Sequence, residues 1–519
     1  MEETILQPPE IVNPYNLGSR NSKDYALVND LSLGKLLGSV PFSSSTRFLA
    51  EQVIMNLDSD SETVNYRQDA LEELVKNSKL RKTVKEVISG MKYVQGKLRN
   101  LYSSDLASGL DLLRTYRDFM QNLSYLENVQ SEAISNANNY LKQVKASGRF
   151  YKMCEFIDKI EGLGGVDFRV TLDESGSPLN MSALELVEKE DKPRKSFFEK
   201  IFGNKQIDES QEGNLRNNWG LNDLGKIIKN YLNEEFTSVI REYVPQIKEI
   251  TKLIEPLEFY SGFSDYFAQL REKGFDISRP TLLPQEERRM SVENARNPLL
   301  MESRNNGHKV VPNGIDYNGD KNVFVITGPN NGGKTTYVKT VGLVQLMAQS
   351  GLFVPAKSAE VSFTDGIYTH FIAPDDITKG EGRYRNELRR MKEIFERATP
   401  YSLIILDEPC GGTSYEEGQR QSLVLLDGFH KLGSATYFTT HMHPLTREVD
   451  NGRYPAGRNF QVECIDEGEK LKYTYRIIPC SSGKSYGEEI AREIGLRPEN
   501  ISEIVSSKAE ERGYKKLLR

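Results

Sequence analysis

The chain has 519 residues, of which 38% are hydrophobic and 27% are charged, and its formal net charge is −6 at pH 7. This length allows two or three domains, each with a hydrophobic core of its own. The nearly balanced charge excludes a bulk polycation, so any binding of nucleic acid has to come from a local patch.

The sequence shows no sign of secretion or membrane insertion. Its four cysteines, Cys154, Cys410, Cys464 and Cys480, have no CxxC spacing, which disfavours a disulfide framework or a zinc site and fits a reducing compartment. Residues 1–14 contain no apolar core of signal-peptide length, and no segment approaches the ~20 apolar residues of a spanning helix. We therefore expect a cytoplasmic protein with no membrane partner.

The first half of the chain is predicted to be mostly α-helical. After a loose lead-in over residues 1–30, apolar residues recur every three or four positions, which predicts a helical lever or core domain over residues 31–280. The clearest apolar stripe runs from Phe236 to Leu257 and predicts one long helix. Residues 162–220 interrupt this pattern with Gly, Asn, Ser and Asp, and we interpret them as a partly disordered insertion.

The pattern changes at about residue 281, where short β-rich segments begin to alternate with helical ones. Three predicted strands, over residues 323–327, 402–406 and 435–439, are followed by a Gly-rich turn, an acidic pair and a histidine. This alternation predicts an α/β domain with a largely parallel sheet over residues 281–519, ending in C-terminal helices. Ligands in such domains bind at the carboxyl ends of strands, where all three motifs lie.

The Gly-rich turn from Gly328 to Thr335 reads GPNNGGKT and matches the phosphate-binding pattern GxxxxGK[ST]. Its glycines let backbone N–H groups face phosphates, and the helix predicted to begin near Lys334 directs its positive end to the same place. Lys334 would contact the β- and γ-phosphates of ATP, and the Thr335 hydroxyl would bind Mg²⁺. The alternative is a Gly-rich turn that matches by chance. The predicted nucleotide-binding residues are Gly328, Pro329, Asn330, Asn331, Gly332, Gly333, Lys334, Thr335 and Thr336.

Two carboxylates, Asp407 and Glu408, follow the strand predicted over residues 402–406. Asp407 is placed to hold Mg²⁺, and Glu408 is placed to orient or deprotonate the water that attacks ATP. Taken alone, such a pair is more typical of a solvated acidic turn. The P-loop upstream favours the catalytic interpretation.

His441 follows the third predicted strand, where an imidazole can donate a hydrogen bond to the γ-phosphate. A single histidine is more often structural, but its position at a third strand end favours a role in the site. The predicted catalytic residues are therefore Glu408, His441 and Lys334, and the predicted metal ligands are Thr335 and Asp407.

A P-loop followed by an Asp-Glu pair and a later histidine is the layout of ABC-type ATPases, in which ATP lies between two subunits. Transporter ATPases carry an LSGGQ-like signature before the Asp-Glu strand, and this sequence has none. Chromosome-organising ATPases place a long coiled coil between the P-loop and that strand, whereas here only residues 336–401 intervene. The layout that remains is that of the MutS family.

Several motifs of the chain resemble those of the MutS family of DNA mismatch-repair proteins. The segment TGPNNGGKTT from Thr327 is similar to the family's TGPNxGGKST, and Asp407-Glu408 with Gly411-Gly-Thr-Ser414 resembles its DExGxGTS. The other similar segments are the family's GxxVPA from Gly351, its TH at Thr440-His441, its closing SYG at Ser485-Tyr-Gly487, and the start of its helical core from Asn65 to Leu74.

The resemblance implies a multidomain protein in which a mostly α-helical lever and core domain precedes an α/β P-loop ATPase domain of ABC type. It further implies that the protein hydrolyses ATP with Mg²⁺, forms a homodimer, binds DNA and works with other repair proteins. We expect an ATP-gated dimeric clamp that acts in DNA repair or recombination on mismatched, branched or distorted DNA. The alternative is a nucleotide-switched protein scaffold with little direct DNA binding.

Three departures from the family pattern bear on this expectation. We find no Phe-x-Glu wedge, which the family inserts beside a mismatch, in a domain-length segment before the helical part. Where the family has a serine that reaches the partner's γ-phosphate, this chain has Gly382-Arg383-Tyr384. Arg383 or Arg385 is then the candidate for that contact, and a solvated charged helix is the alternative. Finally, Asn297 stands where the family has a histidine.

One basic segment, Lys192-Pro-Arg-Lys195, lies beside Phe197, Phe198 and Phe202. Such a combination can follow phosphates and stack on bases. It is equally typical of a turn that contacts a partner or packs in a core, and a charge run is usually solvated.

Overall fold

A computed structural model of the chain describes residues 25–102, 106–123, 126, 128–172, 178–188, 237–301, 310–371, 383–467, 471–480 and 487–513. Contacts divide these residues into two compact units. Residues 78–258 form what we call the helical unit, and residues 25–77 together with residues 259–513 form the α/β unit. Among the described residues, no helix combines the length and the apolar character that crossing a membrane requires.

This division differs from the predicted domain boundary at residue 281. Residues 31–77 and 259–280, which helical periodicity assigned to the lever and core domain, belong by their contacts to the α/β unit. Periodicity distinguishes a helix from a strand, but it does not say which core the helix packs against. The loose lead-in predicted over residues 1–30 is wrong at its end, because Tyr25–Asp30 is a helix in which Leu27 is buried.

Before the helical unit lie α1 (Tyr25–Asp30), α2 (Leu33–Gly38), α3 (Ser44–Met55) and α4 (Ser61–Lys76). The Ser43 side chain caps α3 by accepting a hydrogen bond from the amide of Thr46. The Asp60 carboxylate caps α4 in the same way, at 2.6 Å from the amide of Thr63. These caps satisfy amide groups that the first turn of a helix leaves without intrahelical partners.

The helices of the helical unit are α5 (Ser78–Arg99), α6 (Leu106–Gln121), α7 (Glu132–Lys145), α8 (Gly148–Gly162), α9 (residues 237–251) and the first residues of α10 (Ile254–Glu272). A turn at Lys252 and Leu253 separates α9 from α10, so the single helix predicted from Phe236 to Leu257 is wrong. Because of this turn, Pro256 lies in the first turn of α10, where its missing N–H costs no intrahelical hydrogen bond.

A two-stranded antiparallel hairpin follows α8, formed by β1 (Leu163–Leu172) and β2 (Pro178–Glu188). The insertion predicted over residues 162–220 thus contains two strands that the sequence analysis did not predict. β-Branched and aromatic residues recur at every second position of β1, at Val166, Phe168 and Val170, and this is a strand pattern. The basic and aromatic segment from Lys192 to Phe202 lies outside the described residues.

The strands of the α/β unit are β3 (Thr281–Leu283), β4 (Met290–Ala295), β5 (Asn313–Tyr317), β6 (Val323–Thr327), β7 (Ser358–Ser362), β8 (Ile367–His370), β9 (Leu403–Asp407), β10 (Ala435–Thr439), β11 (Gly457–Asp466) and β12 (Leu471–Pro479). Its helices after α10 are α11 (Pro298–Met301), α12 (Lys334–Gln349), α13 (Arg383–Arg397), α14 (Tyr415–Leu432), α15 (His443–Asp450), α16 (Gly487–Ile494) and α17 (Pro498–Glu511).

Two sheets form the framework of the α/β unit. The larger has the strand order β12-β11-β6-β10-β9-β8, and only β12 runs antiparallel to its neighbour. The smaller has the order β3-β7-β4-β5. A helical part followed by an α/β part with a largely parallel sheet is thereby confirmed.

The strands that precede the three sequence motifs are neighbours in the larger sheet. β6 and β10 have the predicted bounds, and β9 lies one residue later than predicted. Thr439 of β10 is in register with Ile326 of β6 on one side and with Asp407 of β9 on the other. The carboxyl ends of β6, β10 and β9 therefore meet at one edge of the sheet, which is where ligands bind in this class of fold.

Candidate nucleotide-binding site

The Gly-rich loop leads from the buried strand β6 into the helix α12. Gly333, at the junction, has a φ of 99°, a left-handed conformation that glycine adopts without the steric cost of a side chain. Helix α12 begins at the next residue, Lys334, so its first amide groups face the carboxyl edge of the sheet. This is the local geometry that the sequence predicted for a phosphate-binding loop.

Lys334 is buried and turned back into the loop. Its Nζ donates to the carbonyl oxygens of Gly328 and Pro329 at 3.0 and 3.2 Å. It also lies 3.5 Å from the Glu408 carboxylate and 3.3 Å from Nε2 of His441. Burial lowers the pKa of Lys334 from its usual value, and the neighbouring carboxylates of Glu408 and Asp407 act against that shift.

The Asp407 carboxylate ends β9 and accepts two hydrogen bonds from hydroxyl groups. The Thr335 hydroxyl donates to Oδ2 at 2.8 Å, and the Thr439 hydroxyl donates to Oδ1 at 2.7 Å. Burial raises the pKa of Asp407, whereas both hydrogen bonds act to lower it. The two residues predicted as metal ligands, Thr335 and Asp407, are thus in direct contact, and Thr439 of the neighbouring strand fixes the orientation of the carboxylate.

The Glu408 carboxylate lies between Lys334 and His441. Its Oε1 is 2.8 Å from Nε2 of His441. Since a carboxylate only accepts hydrogen bonds, Nε2 carries the hydrogen in this contact. The hydrogen bond from His441 is the main cause that holds the pKa of Glu408 below its usual value, and burial opposes it. Glu408 is therefore ionised at neutral pH.

The turn after β9 has an uncommon backbone conformation. Glu408 and Cys410 both have left-handed φ angles, 54° and 64°, although neither is glycine. A left-handed backbone at a residue other than glycine costs about 1–3 kcal/mol of conformational free energy and persists only where the surrounding structure holds it. Here the amide of Glu408 donates to both the carbonyl and the hydroxyl oxygen of Thr439. This pairing fixes the turn that directs the Glu408 carboxylate towards Lys334.

A cavity of about 740 Å³ opens beside the loop. This volume is within the range of small-molecule and cofactor sites. Tyr473 and Tyr475 of β12 also line the cavity, with ring centres 6.4 Å apart. The described residues that line the cavity are Ala295, Asn297, Leu300, Val310, Val311, Asn313, Pro329, Asn330, Asn331, Gly332, Gly333, Lys334, Thr335, Thr336, Tyr337, Thr340, Glu408, Lys472, Tyr473, Thr474 and Tyr475.

Comparison with known protein families gives two matches in separate parts of the chain. A family model described as MutS domain V matches residues 324–511, a range that includes Lys334, Asp407, Glu408 and His441. A second, described as the MutS2 N-terminal domain, matches residues 59–273. Both matched parts of the chain are thus similar to domains of MutS-family proteins. The resemblance seen in the sequence motifs is thereby confirmed.

Curated MutS relatives match about half of the chain. DNA mismatch repair protein MutS of Shouchella clausii is 32% identical over 258 residues, which are 50% of this chain and 28% of that protein. The MutS of Carboxydothermus hydrogenoformans is 31% identical over 285 residues, 54% of this chain and 33% of the relative. The MutS of Caldicellulosiruptor saccharolyticus is 35% identical over 230 residues, which are 43% of this chain and 26% of that protein. The chain thus spans a third or less of the length of these relatives.

Three residues of the site were not predicted as site residues from the sequence. Thr439 and the Tyr473/Tyr475 pair come from strands whose residues read as ordinary β-sheet. The two tyrosines reach the site through the strand order β12-β11-β6-β10-β9, which the sequence does not specify. Thr439 could have been found from a parallel-strand prediction, since it precedes the Thr440-His441 motif.

Asn297, at the position of the MutS-family histidine, fixes the loop before α11 to helix α12. Its side-chain amide donates to the Thr336 carbonyl and to the Thr340 hydroxyl, both at 3.1 Å. Its carbonyl oxygen accepts from the amide of Leu299 at 2.9 Å. Asn297 therefore holds the first turns of α12 in place and also lines the cavity.

Another departure from the MutS pattern lies in the turn after Glu408. Cys410 stands at the position of the first glycine in the family's DExGxGTS, and its left-handed φ shows why glycine suits that position. Arg383 begins α13, and Arg385 in its first turn is exposed. Their predicted contact with a partner's nucleotide stays a prediction.

Proposed function

We propose that this chain binds ATP with Mg²⁺, hydrolyses it, and uses the cycle to open and close a dimeric clamp on DNA. The observation that carries the first part is the convergence of Lys334, Thr335, Asp407, Glu408 and His441 at the ends of three adjacent parallel strands. No one of these residues is diagnostic. Together they provide a cation, hydroxyl and carboxylate oxygens, a base and an imidazole in two contacting groups, Thr335 with Asp407 and Glu408 with Lys334 and His441.

The triphosphate is assigned to the Gly-rich loop. Backbone amides at the start of α12 and the positive end of the helix stabilise phosphate oxygens. Lys334 exchanges its hydrogen bonds to the carbonyls of Gly328 and Pro329 for bonds to phosphate oxygens, which are charged and therefore stronger acceptors. The charge of the nucleotide offsets the burial that lowers the pKa of Lys334.

Thr335 and Asp407 suit a magnesium ion. Their oxygen atoms lie 2.8 Å apart, and hydroxyl and carboxylate oxygens are the hard ligands that Mg²⁺ prefers, in small number, beside phosphates and water. A magnesium ion held by these two residues would neutralise charge on the phosphates. The hydrogen bond from Thr439 keeps the Asp407 carboxylate in place for this role.

Glu408 and His441 are assigned to the hydrolytic step. While His441 donates to it, Glu408 has a lowered pKa and is a weak base, so it orients a water molecule more than it deprotonates it. If His441 turns its Nε2–H to a phosphate oxygen, Glu408 loses that hydrogen bond and becomes the stronger base. The pair thus couples recognition of the γ-phosphate to activation of water.

The nucleobase is assigned to the tyrosine side of the cavity. Tyr473 and Tyr475 offer aromatic faces to an aromatic ring, and Tyr475 packs close to Gly333 of the loop. The side chain of Asn313 ties β12 to β5 by donating to the Tyr475 carbonyl at 3.1 Å and accepting from the Ile477 amide at 2.8 Å. This places the aromatic wall on a fixed strand.

The dimer and the DNA follow from the family. The relatives are named as DNA mismatch repair proteins, which supports DNA as the macromolecular ligand. We assign residues 281–519 to an ATPase domain of ABC type and the helices before it to a lever and core domain, with an isologous pairing of two ATPase domains. The exposed segment Gly411-Gly412 before α14, and Arg383 or Arg385, then approach the partner's γ-phosphate.

Nucleotide binding is tested by calorimetry with ATP and MgCl₂. Lys334→Ala removes the only lysine in the loop and should weaken ATP binding about 100-fold or more, since hydrogen bonds to charged groups contribute about 1.5–3 kcal/mol each. Lys431→Ala, an exposed lysine at the end of α14, serves as the matched control and should bind normally. No heat of binding in the unmodified protein would refute the nucleotide assignment.

The DNA part is tested separately by electrophoretic retention of perfect duplex, mismatched duplex and four-way branched DNA, each with and without ATP. We expect retention that changes with nucleotide state and prefers one of the distorted forms. A protein that hydrolyses ATP but retains none of these DNAs would be the nucleotide-switched scaffold instead.

A further inference from the structure

Helix α5 has a charge composition unlike that of the other helices of the helical unit. It carries seven basic residues and one acidic residue, Glu86. Helix α8 has three of each sign, and α9 has two of each. Mixed charges are the norm on a solvated helix. The excess of basic residues therefore sets α5 apart from α8 and α9 among the described helices. The basic residues of α5 are Lys79, Arg81, Lys82, Lys85, Lys92, Lys97 and Arg99.

The two ends of α5 use their basic residues differently. Towards its end, Lys92 donates to Glu258 at 2.8 Å, Lys97 to Asp111 at 2.7 Å, and Arg99 to Gln95 at 3.3 Å. These residues join α5 to α10 and α6 or to its own preceding turn. They therefore serve the packing of the helical unit.

At the start of α5, Lys79, Lys82 and Lys85 are exposed and three residues apart. Residues at this spacing are neighbours on a helix surface, and the three span about 9 Å along the axis at 1.5 Å per residue. Lys82 approaches Glu86 at 3.9 Å, but both side chains are largely exposed, so the contact contributes little. The result is a short row of three exposed lysines, with Glu86 beside Lys82.

Tyr93 continues the same side of the helix, eight residues beyond Lys85, and its side chain is 63% exposed. The Lys97 ammonium lies 5.5 Å from its ring centre, which restrains the ring at the surface. A phenolic hydroxyl in this position can donate to a phosphate oxygen. We call Lys79, Lys82, Lys85 and Tyr93 the basic face of α5. The buried side of the helix consists of Leu80, Val84, Val87, Ile88, Met91 and Val94.

We propose that the basic face of α5 binds the phosphate backbone of double-stranded DNA. Three exposed lysines at this spacing attract a partner that carries regularly spaced negative charges, and DNA has such charges on every strand. An exposed aromatic hydroxyl beside the row adds a donor that positions a duplex without reading its sequence. None of the four residues lines the nucleotide cavity, so this is a second site. The inference rests on the proposed function, in that DNA is the ligand, and extends it to a contact surface.

The test compares the salt dependence of duplex DNA binding in two triple variants of the full chain. In Lys79→Gln/Lys82→Gln/Lys85→Gln, the slope of log affinity against log salt should fall by about 0.9 for each lost phosphate contact, so by up to about three in total. Affinity near 0.1 M salt should fall roughly tenfold or more for the same reason. ATP turnover without DNA should stay unchanged.

The control variant carries Lys152→Gln, Lys159→Gln and Lys248→Gln, three exposed lysines of α8 and α9 where basic residues are balanced by acidic ones. It changes the net charge equally and should keep the slope and affinity of the unmodified chain. Lys and Gln have similar helix propensities, so circular dichroism should show the same helix content in all three proteins. Tyr93→Phe, which removes only the hydroxyl, should weaken binding about two- to fivefold.

Each other outcome overturns the proposal. An unchanged slope in the α5 variant, or an equal loss in the control variant, removes the basic face as a DNA site. Tighter binding of duplex RNA of the same sequence, lost in the α5 variant, would identify RNA as the partner. If the unmodified chain retains no DNA in any nucleotide state, the DNA part of the proposed function fails together with this inference. If the unmodified chain retains DNA and the α5 variant binds it equally well, this inference fails while the proposed function stands.

Discussion

The carboxyl edge of the larger sheet and the helix α4 belong to the same unit but are assembled in different ways. At the sheet edge, the polar residues lie directly on or after a strand, in motifs that are each complete within a few residues. Helix α4 is fixed instead by side chains that contact distant parts of the chain. Arg67 donates to the carbonyl oxygen of Ser350 at 3.3 Å, and Gln68 donates to that of Pro280 at 3.0 Å.

An ion pair closes this attachment. Arg67 also donates to the Asp58 carboxylate at 2.5 Å, and both side chains are buried, with exposed fractions of 2% and 7%. On the outer side of α4, the Arg279 guanidinium contacts Asp69 at 2.6 Å and Glu72 at 2.8 Å. The motif around residues 65–74 therefore anchors α4 to the end of helix α12 and to the start of β3, within the unit that carries the nucleotide site.

The sheet edge and α4 carry two kinds of motif that the sequence alone does not distinguish. A chemical motif, such as the Gly-rich loop, supplies groups to a ligand. A structural motif, such as that of α4, supplies polar groups to a neighbouring backbone. The first should affect turnover and leave stability almost unchanged, whereas the second should affect stability first. Four sets of substitutions separate these two kinds of motif.

Glu408→Ala should lower ATP turnover by about 10²–10⁴-fold, because a positioned general base contributes about that much. ATP binding should persist and the closed state should accumulate. Steady-state hydrolysis and calorimetric ATP affinity measure the two effects. Glu416→Ala, an exposed carboxylate in the first turn of α14, is the control and should hydrolyse ATP normally. A normal rate in Glu408→Ala would refute the catalytic assignment.

Asp58→Ala should lower the free energy of unfolding by about 3–5 kcal/mol, because it leaves Arg67 buried without its counter-charge. Urea unfolding followed by circular dichroism measures the loss. Asp69→Ala provides the contrast, since that carboxylate is 55% exposed and its ion pair is expected to contribute less than about 1 kcal/mol. Equal losses in the two variants would mean that the buried pair does not anchor α4.

Comparing Gly351→Ala with Gly274→Ala separates two destabilising effects: the steric contact with α4 and the left-handed φ angle. Both glycines follow a helix with left-handed φ angles of 79° and 82°, and in both the next amide bonds back to the helix. A Cβ at Gly351 would lie 2.7 Å from Cβ of Arg67 and 3.0 Å from the Val64 carbonyl oxygen, whereas one at Gly274 would meet nothing within 4 Å.

Gly274→Ala should therefore cost about 1–2 kcal/mol of unfolding free energy for its φ alone. Gly351→Ala should cost about 1–3 kcal/mol more, because α4 has to move away from the end of α12. Thermal unfolding of the two variants side by side gives the difference. A difference near zero would show that α4 yields without cost, which contradicts a tight attachment.

Arg279→Met should have the smallest effect, about 1 kcal/mol or less, because its ion pairs are partly exposed. Hydrogen bonds from Lys76 and Arg279 hold the pKa of Glu72 below its usual value. The contribution is therefore present above the unfolded-state pKa of Glu72 and is lost as pH falls through the folded-state value. It should also shrink in 1 M salt. A loss that is independent of pH and salt would assign the effect to packing of the side-chain stem.

The sequence predicted the carboxyl edge of the larger sheet well because its motifs are local. The spacing between a strand and its following loop is set by a few residues, and parallel strands bring such loops together whatever their separation along the chain. The five residues predicted for the site lie together in two contacting groups: Thr335 with Asp407, and Glu408 with Lys334 and His441. Their chemical roles stay predictions.

Other features could not be predicted, and the reasons differ. The break between α9 and α10 left the apolar stripe intact, since the hydrophobic positions continue across the turn. The hairpin of β1 and β2 was hidden by its Gly- and Asp-containing surroundings. The Thr439 hydroxyl and the tyrosines of β12 depend on which strands are neighbours, and strand order is a property of the whole sheet.

By itself, the sequence determined the helical character of the first part, the strands β6, β9 and β10, the Gly-rich loop, the carboxylate pair and the resemblance to the MutS family, because these are patterns of neighbouring residues. Only the tertiary structure decided that residues 31–77 belong with the α/β part. It also decided that Arg67 donates a hydrogen bond to the Ser350 carbonyl and that the lysines at the start of α5 face solvent. Those outcomes depend on contacts between residues far apart in the chain, and local periodicity carries no information about such contacts.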